Sequence, residues 1–208
     1  MSVVELMLLL LVMMAVLTVP SYGKKARPQR GGSETDYCKM YDSLVYDPVM
    51  NNLEREVLSR LITREDTVLE VGCRTGRVTG WLDADSVGVD DSKEMVAVAR
   101  TKYPDKTFMV RDVMQRGTFR PDTFTHVLCL SDRVYCFSEK LLLFQHCFYW
   151  LKAKGRLVVQ TGRAKLKVAK REKCYPESKE KIRGLAEMAG FSLAESSGPF
   201  LVFTKNAF

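Results

Sequence analysis

Short apolar runs alternate along most of this chain with stretches whose apolar residues recur at helical spacing. Residues 68–71 (V-L-E-V) are too short for a helix and are bounded by turn residues, which predicts a buried strand. Residues 86–89, 107–110 and 124–130 are runs of the same kind. Between them, 77–82 can start a short helix. Residues 93–102 carry Met95, Val96, Val98 and Ala99 on one side of a helix that Asp91 or Ser92 can cap. Upstream, 36–62 holds Tyr37, Tyr41, Tyr46, Leu53, Val57 and Leu61 at roughly helical spacing. Leu53, Val57 and Leu61 predict a core-facing stripe, and Pro48 suits a helix start. Downstream, 138–151 reads as a helix, L-K-A-K-G-R-L-V-V-Q leads into a fifth strand, and 177–189 is an amphipathic helix stopped by Gly190. The strands 191–195 and 200–205 are joined so tightly by Ser-Ser-Gly-Pro that they must pair antiparallel. Strands alternating with helices predict an α/β, doubly wound architecture around a mostly parallel sheet.

The ends depart from that rhythm. Residues 6–19 form a fourteen-residue run without charge. As a helix it covers about 21 Å, short of the ~30 Å hydrocarbon core, and extending it over 2–22 nearly closes the gap. Two readings stay open: a cleaved signal peptide ending near Ser21-Tyr22-Gly23, giving a secreted protein, and an uncleaved signal-anchor helix. Glu5 precedes the run, whereas Lys24, Lys25, Arg27 and Arg30 follow it. That asymmetry favours an anchor with its carboxyl side in the cytosol, on an endomembrane. Residues 23–35 then read as a basic flexible linker and 36–208 as the main folded domain.

Composition adds less. A hydrophobic content of 46% suffices for a globular core. The net charge of +7 is concentrated in the linker and in 163–183, which holds nine basic residues against three acids, so the remainder is acidic. Such basic segments favour anionic partners such as phospholipid headgroups or nucleic acid. The six cysteines contain no C-x-x-C pair, and His126 and His146 are not spaced with them as ligands. Reduced, mostly buried thiols and no metal site are expected.

The candidate chemistry centres on V-L-E-V-G-C-R-T-G-R, residues 68–77. A strand leads through Glu70 into a turn with Gly72 and Gly76, where backbone can bend sharply and approach a ligand. Eighteen residues past Gly72, Asp90 ends the second strand, a place from which an acid can accept both hydroxyls of a ribose. The turn, the string V-G-V-D-D-S-K-E-M-V-A-V-A-R, the acid after the third strand, the L-K-A-K-G-R-L-V-V entry and the closing hairpin together resemble the class I S-adenosylmethionine-dependent methyltransferases. The resemblance covers residues 37–205 and implies a seven-stranded sheet with an antiparallel last strand, binding S-adenosylmethionine. It implies that Glu70, Gly72, Cys73 and Gly76 hold the methionine part, Asp90 the ribose and Asp112 the adenine. Asp91, Met95, Val113 and Leu130 are implied as further cofactor contacts, and Tyr46 as an aromatic over the site. Arg74 stands where that family usually has glycine, and its side chain is expected to point away from the ligand.

Methyl transfer asks chiefly for donor and acceptor to be held close and aligned, with a base only where the nucleophile must lose a proton. Asp132 and Tyr135, at the edge of the fourth strand, are the candidates for orienting the acceptor or taking its proton. The D/N-P-P-Y sequence used on adenine or glutamine amino groups is missing there. The segment 162–176 is short and basic, so the domain has little lid of its own. The expectation is a membrane-anchored, monomeric methyltransferase acting on a small or lipid-like acceptor. The alternatives are a fold that binds without catalysis, which Arg74 favours, and an RNA methyltransferase, although the basic segments lack interleaved aromatics for stacking on bases.

Overall fold

Seven strands form one sheet in the order β3-β2-β1-β4-β5-β7-β6. The strands are β1 (Thr67–Val71), β2 (Asp85–Asp90), β3 (Thr107–Val110), β4 (Phe124–Cys129), β5 (Leu151–Gln160), β6 (Phe191–Ser197) and β7 (Phe200–Lys205). Strands β1 to β5 pair in parallel, and β7 runs antiparallel to both of its neighbours. The predicted sheet is therefore the observed one. These features come from a computed structural model, which describes residues 34–162 and 174–206. The apolar run expected to form an N-terminal helix, nearly all of the linker and the basic residues 163–173 lie outside the described residues. Among the described residues, no helix is long and apolar enough to cross a membrane.

The sheet is covered on both sides, which is why its strands read as continuous apolar runs. Successive residues alternate between two cores. Leu69, Val71, Val127, Cys129, Leu157 and Val159 face α5 (Lys140–Trp150) and α6 (Lys179–Met188), with Phe144 and Trp150 fully buried among them. Val68, Leu128, Leu130, Val158 and Val202 face α2 (Pro48–Leu61) and α3 (Arg77–Trp81). The remaining helices are α1 (Glu34–Val45) and α4 (Lys93–Lys102), which pack on each other through Cys38, Tyr41 and Met95. Helix starts follow the local chemistry. The Asp47 carboxylate accepts from the N–H of Met50 with Pro48 at the first turn, and the Ser92 hydroxyl accepts from the N–H of Met95.

Four boundaries differ from the sequence reading. Helix α1 begins at Glu34, two residues before the expected start of the domain. Leu53 is 38% exposed, and the buried stripe of α2 runs instead through Glu54, Val57 and Leu58, because Glu54 is paired with the part-buried Arg77. Helix α5 stops at Trp150, since Leu151 already pairs with Phe124 of β4. Strand β6 reaches Ser197, and the two-residue turn Gly198-Pro199, with Gly198 at φ 51°, makes the reversal into β7.

Candidate functional site

Strand order reverses between β1 and β4, so the connections leave a crevice at the carboxyl ends of these strands. A cavity of about 860 Å³ opens there, walled by Gly72, Cys73 and Arg74, by Asp132 and Tyr135, and by Tyr41 of α1.

The turn after β1 follows from its sequence. Gly72, Arg74 and Gly76 take φ of 70°, 52° and 77°, the left-handed region. Arg74 is held there from two sides. Its N–H donates to Asp90 Oδ2 at 3.0 Å, and its guanidinium lies 4.6 Å over the Tyr41 ring. The side chain therefore lines the cavity rather than pointing away from it, because the aromatic face of α1 attracts the cation. The Thr75 hydroxyl donates to the Asp42 carboxylate, which also accepts from Lys102, so the turn is tied to α1 and α4. Arg77 reaches Glu54 with two hydrogen bonds at 2.6 and 3.1 Å, and also donates to the Ser131 hydroxyl at 3.2 Å. Glu54 is 1% exposed, so this pair fixes α2 against the start of α3.

Glu70 lines the cavity, yet its carboxylate is turned into the fold. One oxygen accepts the N–H of Thr79 at 2.9 Å and its hydroxyl at 2.5 Å. Burial pushes its pKa up to about 7 from the ordinary 4.5, against the opposing Thr79 bonds. Between pH 4.5 and 7 the unfolded chain ionises at this residue while the folded chain keeps the proton. Native stability from this group is therefore complete below pH 4.5 and lost as pH rises through 7. Glu70→Gln keeps an acceptor for Thr79 and cannot ionise. Its unfolding free energy should exceed that of the wild type by on the order of 2–3 kcal/mol at pH 8, and the gap should close by pH 4.5. Denaturant melts at both pH values check this, and an equal gap at both would contradict it.

Asp90 is 4% exposed. Oδ2 accepts from Arg74 N–H, Oδ1 accepts from Ser92 N–H at 2.9 Å, and Arg133 Nη2 lies 3.7 Å from Oδ2. Burial raises the pKa of this carboxyl, and the Arg133 guanidinium opposes the rise. Arg133 reaches Asp90 by crossing the face of Gly72, where a Cβ would stand 2.4 Å from its Nε. It starts a 3-10 turn, Arg133–Cys136, that follows Ser131 and Asp132, both left-handed at φ 51° and 59°.

The structure divides the site residues expected from sequence. Glu70, Gly72, Cys73, Asp132 and Tyr135 share the cavity. Burial raises the Tyr135 phenol pKa. Gly76 lies off the cavity, with Phe108 where a Cβ would be. Met95, Val113 and Leu130 are buried core residues away from it. Asp91 is exposed at the end of β2. Asp112 is exposed, and its carboxylate accepts the N–H of Met114 at 2.8 Å. Tyr46 is 64% exposed and off the cavity; Tyr41 is the aromatic that lines it, since it sits on the inner face of α1. The sequence reading missed Arg133 and also Gln160, whose amide oxygen accepts the N–H of Ser131 at 2.7 Å. No spacing rule points to either, because both act through contacts between separate strand edges. His126 and His146 are buried as expected, with Nδ1 of His146 donating to the Val113 carbonyl at 3.0 Å. Among the described residues no cluster suits a metal, and all six cysteines are free thiols.

Residues 69–159 match a family model described as a methyltransferase domain. A putative methyltransferase of Invertebrate iridescent virus 6 is 25% identical over 104 residues, covering 47% of this chain and 38% of that protein. A second curated relative matches over 26% of its own length, so the chain spans well under half the length of the curated relatives it matches. Among solved structures, a TehB-like SAM-dependent methyltransferase from Corynebacterium glutamicum superposes with a TM-score of 0.62 at 19% identity, covering 82% of this chain and 99% of that one. A magnesium protoporphyrin IX methyltransferase from Synechocystis, solved with bound SAM, gives 0.60 at 16% identity over 86% and 87%. At these identities the likeness is one of fold.

Proposed function

We propose that this chain is a class I S-adenosylmethionine-dependent methyltransferase, a reading its matching family model and fold neighbours support, and that it transfers the methyl group of S-adenosylmethionine to a small or lipid-like acceptor at a membrane surface. The donor supplies an electrophilic methyl on a sulfonium. The chain's own work is to hold the acceptor beside it and exclude water. Gly72 and Cys73, which line the cavity, would receive the methionine part. Asp90 is the acceptor for the ribose, and it fits that role once Arg133 withdraws. Asp132 and Tyr135, across the cavity, orient the acceptor group.

The lipid-like acceptor rests on one observation. Met40, Leu44, Tyr46, Val49 and Leu53, on α1, on α2 and in the link between them, are 38–67% exposed, and they account for five of the six large exposed hydrophobic residues among the described residues. Leu44 and Val49 also line the cavity. An apolar rim at a cavity mouth suits an apolar ligand or a bilayer surface better than a polar metabolite. The apolar stretch 6–19 and the basic residues after it support the same reading, holding the domain near an anionic cytosolic leaflet. The test is full-chain protein in cells fed a labelled methyl donor, compared with cells lacking it. A labelled species in the lipid extract, absent when Tyr135→Phe and Asp132→Ala are combined, is expected. Label confined to RNA or to water-soluble metabolites would overturn the lipid reading.

A binding module without catalysis is the second reading. Arg74 in the glycine position and Arg133 across Gly72 both favour it. Donor binding with no labelled product in any fraction would select it.

A further inference from the structure

Arg133 joins two places that a cofactor must touch. Strands β1 and β2 are adjacent and parallel, with Val71 opposite Val89, so Gly72 and Asp90 lie side by side at their carboxyl ends. The Arg133 side chain packs on the open face of Gly72 and brings Nη2 to 3.7 Å from Asp90 Oδ2. Nη1 meets the Cys136 sulfur at 3.2 Å. The residue is 8% exposed, unusually buried for an arginine. Any ligand that contacts Gly72 and Asp90 together needs the space this side chain fills.

We propose that Arg133 is an internal competitor for the cofactor site, whose displacement from Asp90 sets the affinity for the donor. This rests on the reading of Asp90 as the ribose acceptor. The charge logic supports exchange. The guanidinium compensates the buried carboxylate, and a ribose diol can replace it as hydrogen-bond donor to the same oxygens. The backbone supports it too. Ser131 and Asp132 are consecutive non-glycine residues in the left-handed region, a conformation that L residues adopt at a cost and that surrounding contacts must enforce. Those contacts are visible in the Gln160 bond to Ser131 N–H and the Arg77 bond to its hydroxyl. Donor binding then requires a second arrangement of this turn, in which Arg133 swings toward the cavity lined by Asp132 and Tyr135. The donor's apparent affinity is then lowered by the fraction of molecules with Arg133 withdrawn. Donor binding draws the population toward the open arrangement.

The test is calorimetric titration of full-chain protein with S-adenosylhomocysteine, comparing wild type with Arg133→Met and Arg133→Lys. Methionine keeps the bulk of the stem and removes the charge. It should bind about tenfold tighter or more, with lysine in between. Thermal melts report whether each variant is folded. A measurement on unmutated protein stands beside them: the Nε–H signal of Arg133, assigned by its loss in the variant, should move on saturation with ligand as the guanidinium leaves Asp90. Equal or weaker binding by Arg133→Met, or an unmoved Arg133 signal at saturation, overturns the proposal and leaves the donor reading intact. Failure of wild type and both variants to bind overturns the donor reading and this proposal with it.

Discussion

Gly76→Ala should cost about 3 kcal/mol or more of folding stability and lower the melting temperature by roughly 6–12 °C. Two costs add. Gly76 has φ 77°, and placing an L residue in the left-handed region costs about 1–2 kcal/mol. Its new Cβ would stand 2.5 Å from two ring atoms of Phe108 and 3.0 Å from the Ala99 Cβ. Phe108 is 3% exposed and packed with Cys73, Val96 and Ala99, so the ring has no free direction, and overpacking of this kind costs about 1–3 kcal/mol more. The glycine thus serves the packing of the turn on β3 and α4. Gly184→Ala is the control of opposite sign. It lies in α6 with nothing within 4 Å of its Cβ, and it should stabilise by about 0.5–1 kcal/mol. Thermal unfolding of both variants decides the matter, and a Gly76→Ala protein as stable as wild type would show that the turn is free to rearrange.

Asp90→Ala should weaken S-adenosylhomocysteine binding tenfold or more, equivalent to about 1–3 kcal/mol from a buried acceptor. It should also lower the stability of the ligand-free protein. The N–H groups of Arg74 and Ser92 both donate to this carboxylate, and the Arg133 guanidinium loses its nearest acid. Asp112→Ala separates the two effects. Asp112 is exposed and caps only its own turn through Met114, so its removal should change affinity with little change in melting temperature. Paired titrations and melts of the two variants check this. Unchanged affinity in Asp90→Ala would remove the ribose role from the end of β2.

The order of elements was legible because the central strands are buried on both faces and α2, α4 and α6 carry side-chain start signals. Val68–Val71 reads as one apolar run since Val68 and Leu69 enter different cores. Asp47 with Pro48, and Ser92, mark helix starts that the structure reproduces as side-chain caps. The face of α2 was misjudged because Glu54 looks solvent-bound until Arg77, from beyond β1, is seen to neutralise it. The site was legible where one segment supplies it, as at Gly72, Cys73 and Asp132. It was illegible where two segments meet. Arg133 acts on Gly72 and Asp90 from another strand edge, and nothing in the local sequence encodes that crossing. Tyr41 and Tyr46 are both aromatic and five residues apart, and only the fold shows that Tyr41 lies on the buried face of α1 whereas Tyr46 follows its end and is 64% exposed.

The central claim is that the carboxyl ends of β1 and β2 hold S-adenosylmethionine. The most direct measurement is equilibrium titration of the full-length wild-type chain with S-adenosylmethionine and S-adenosylhomocysteine at neutral pH, read by heat and by the shift in melting temperature. Saturable binding of one equivalent of each, with a melting temperature that rises with ligand concentration, is the expected result. No heat and no stabilisation at millimolar ligand, in wild type and in Arg133→Met alike, would contradict it.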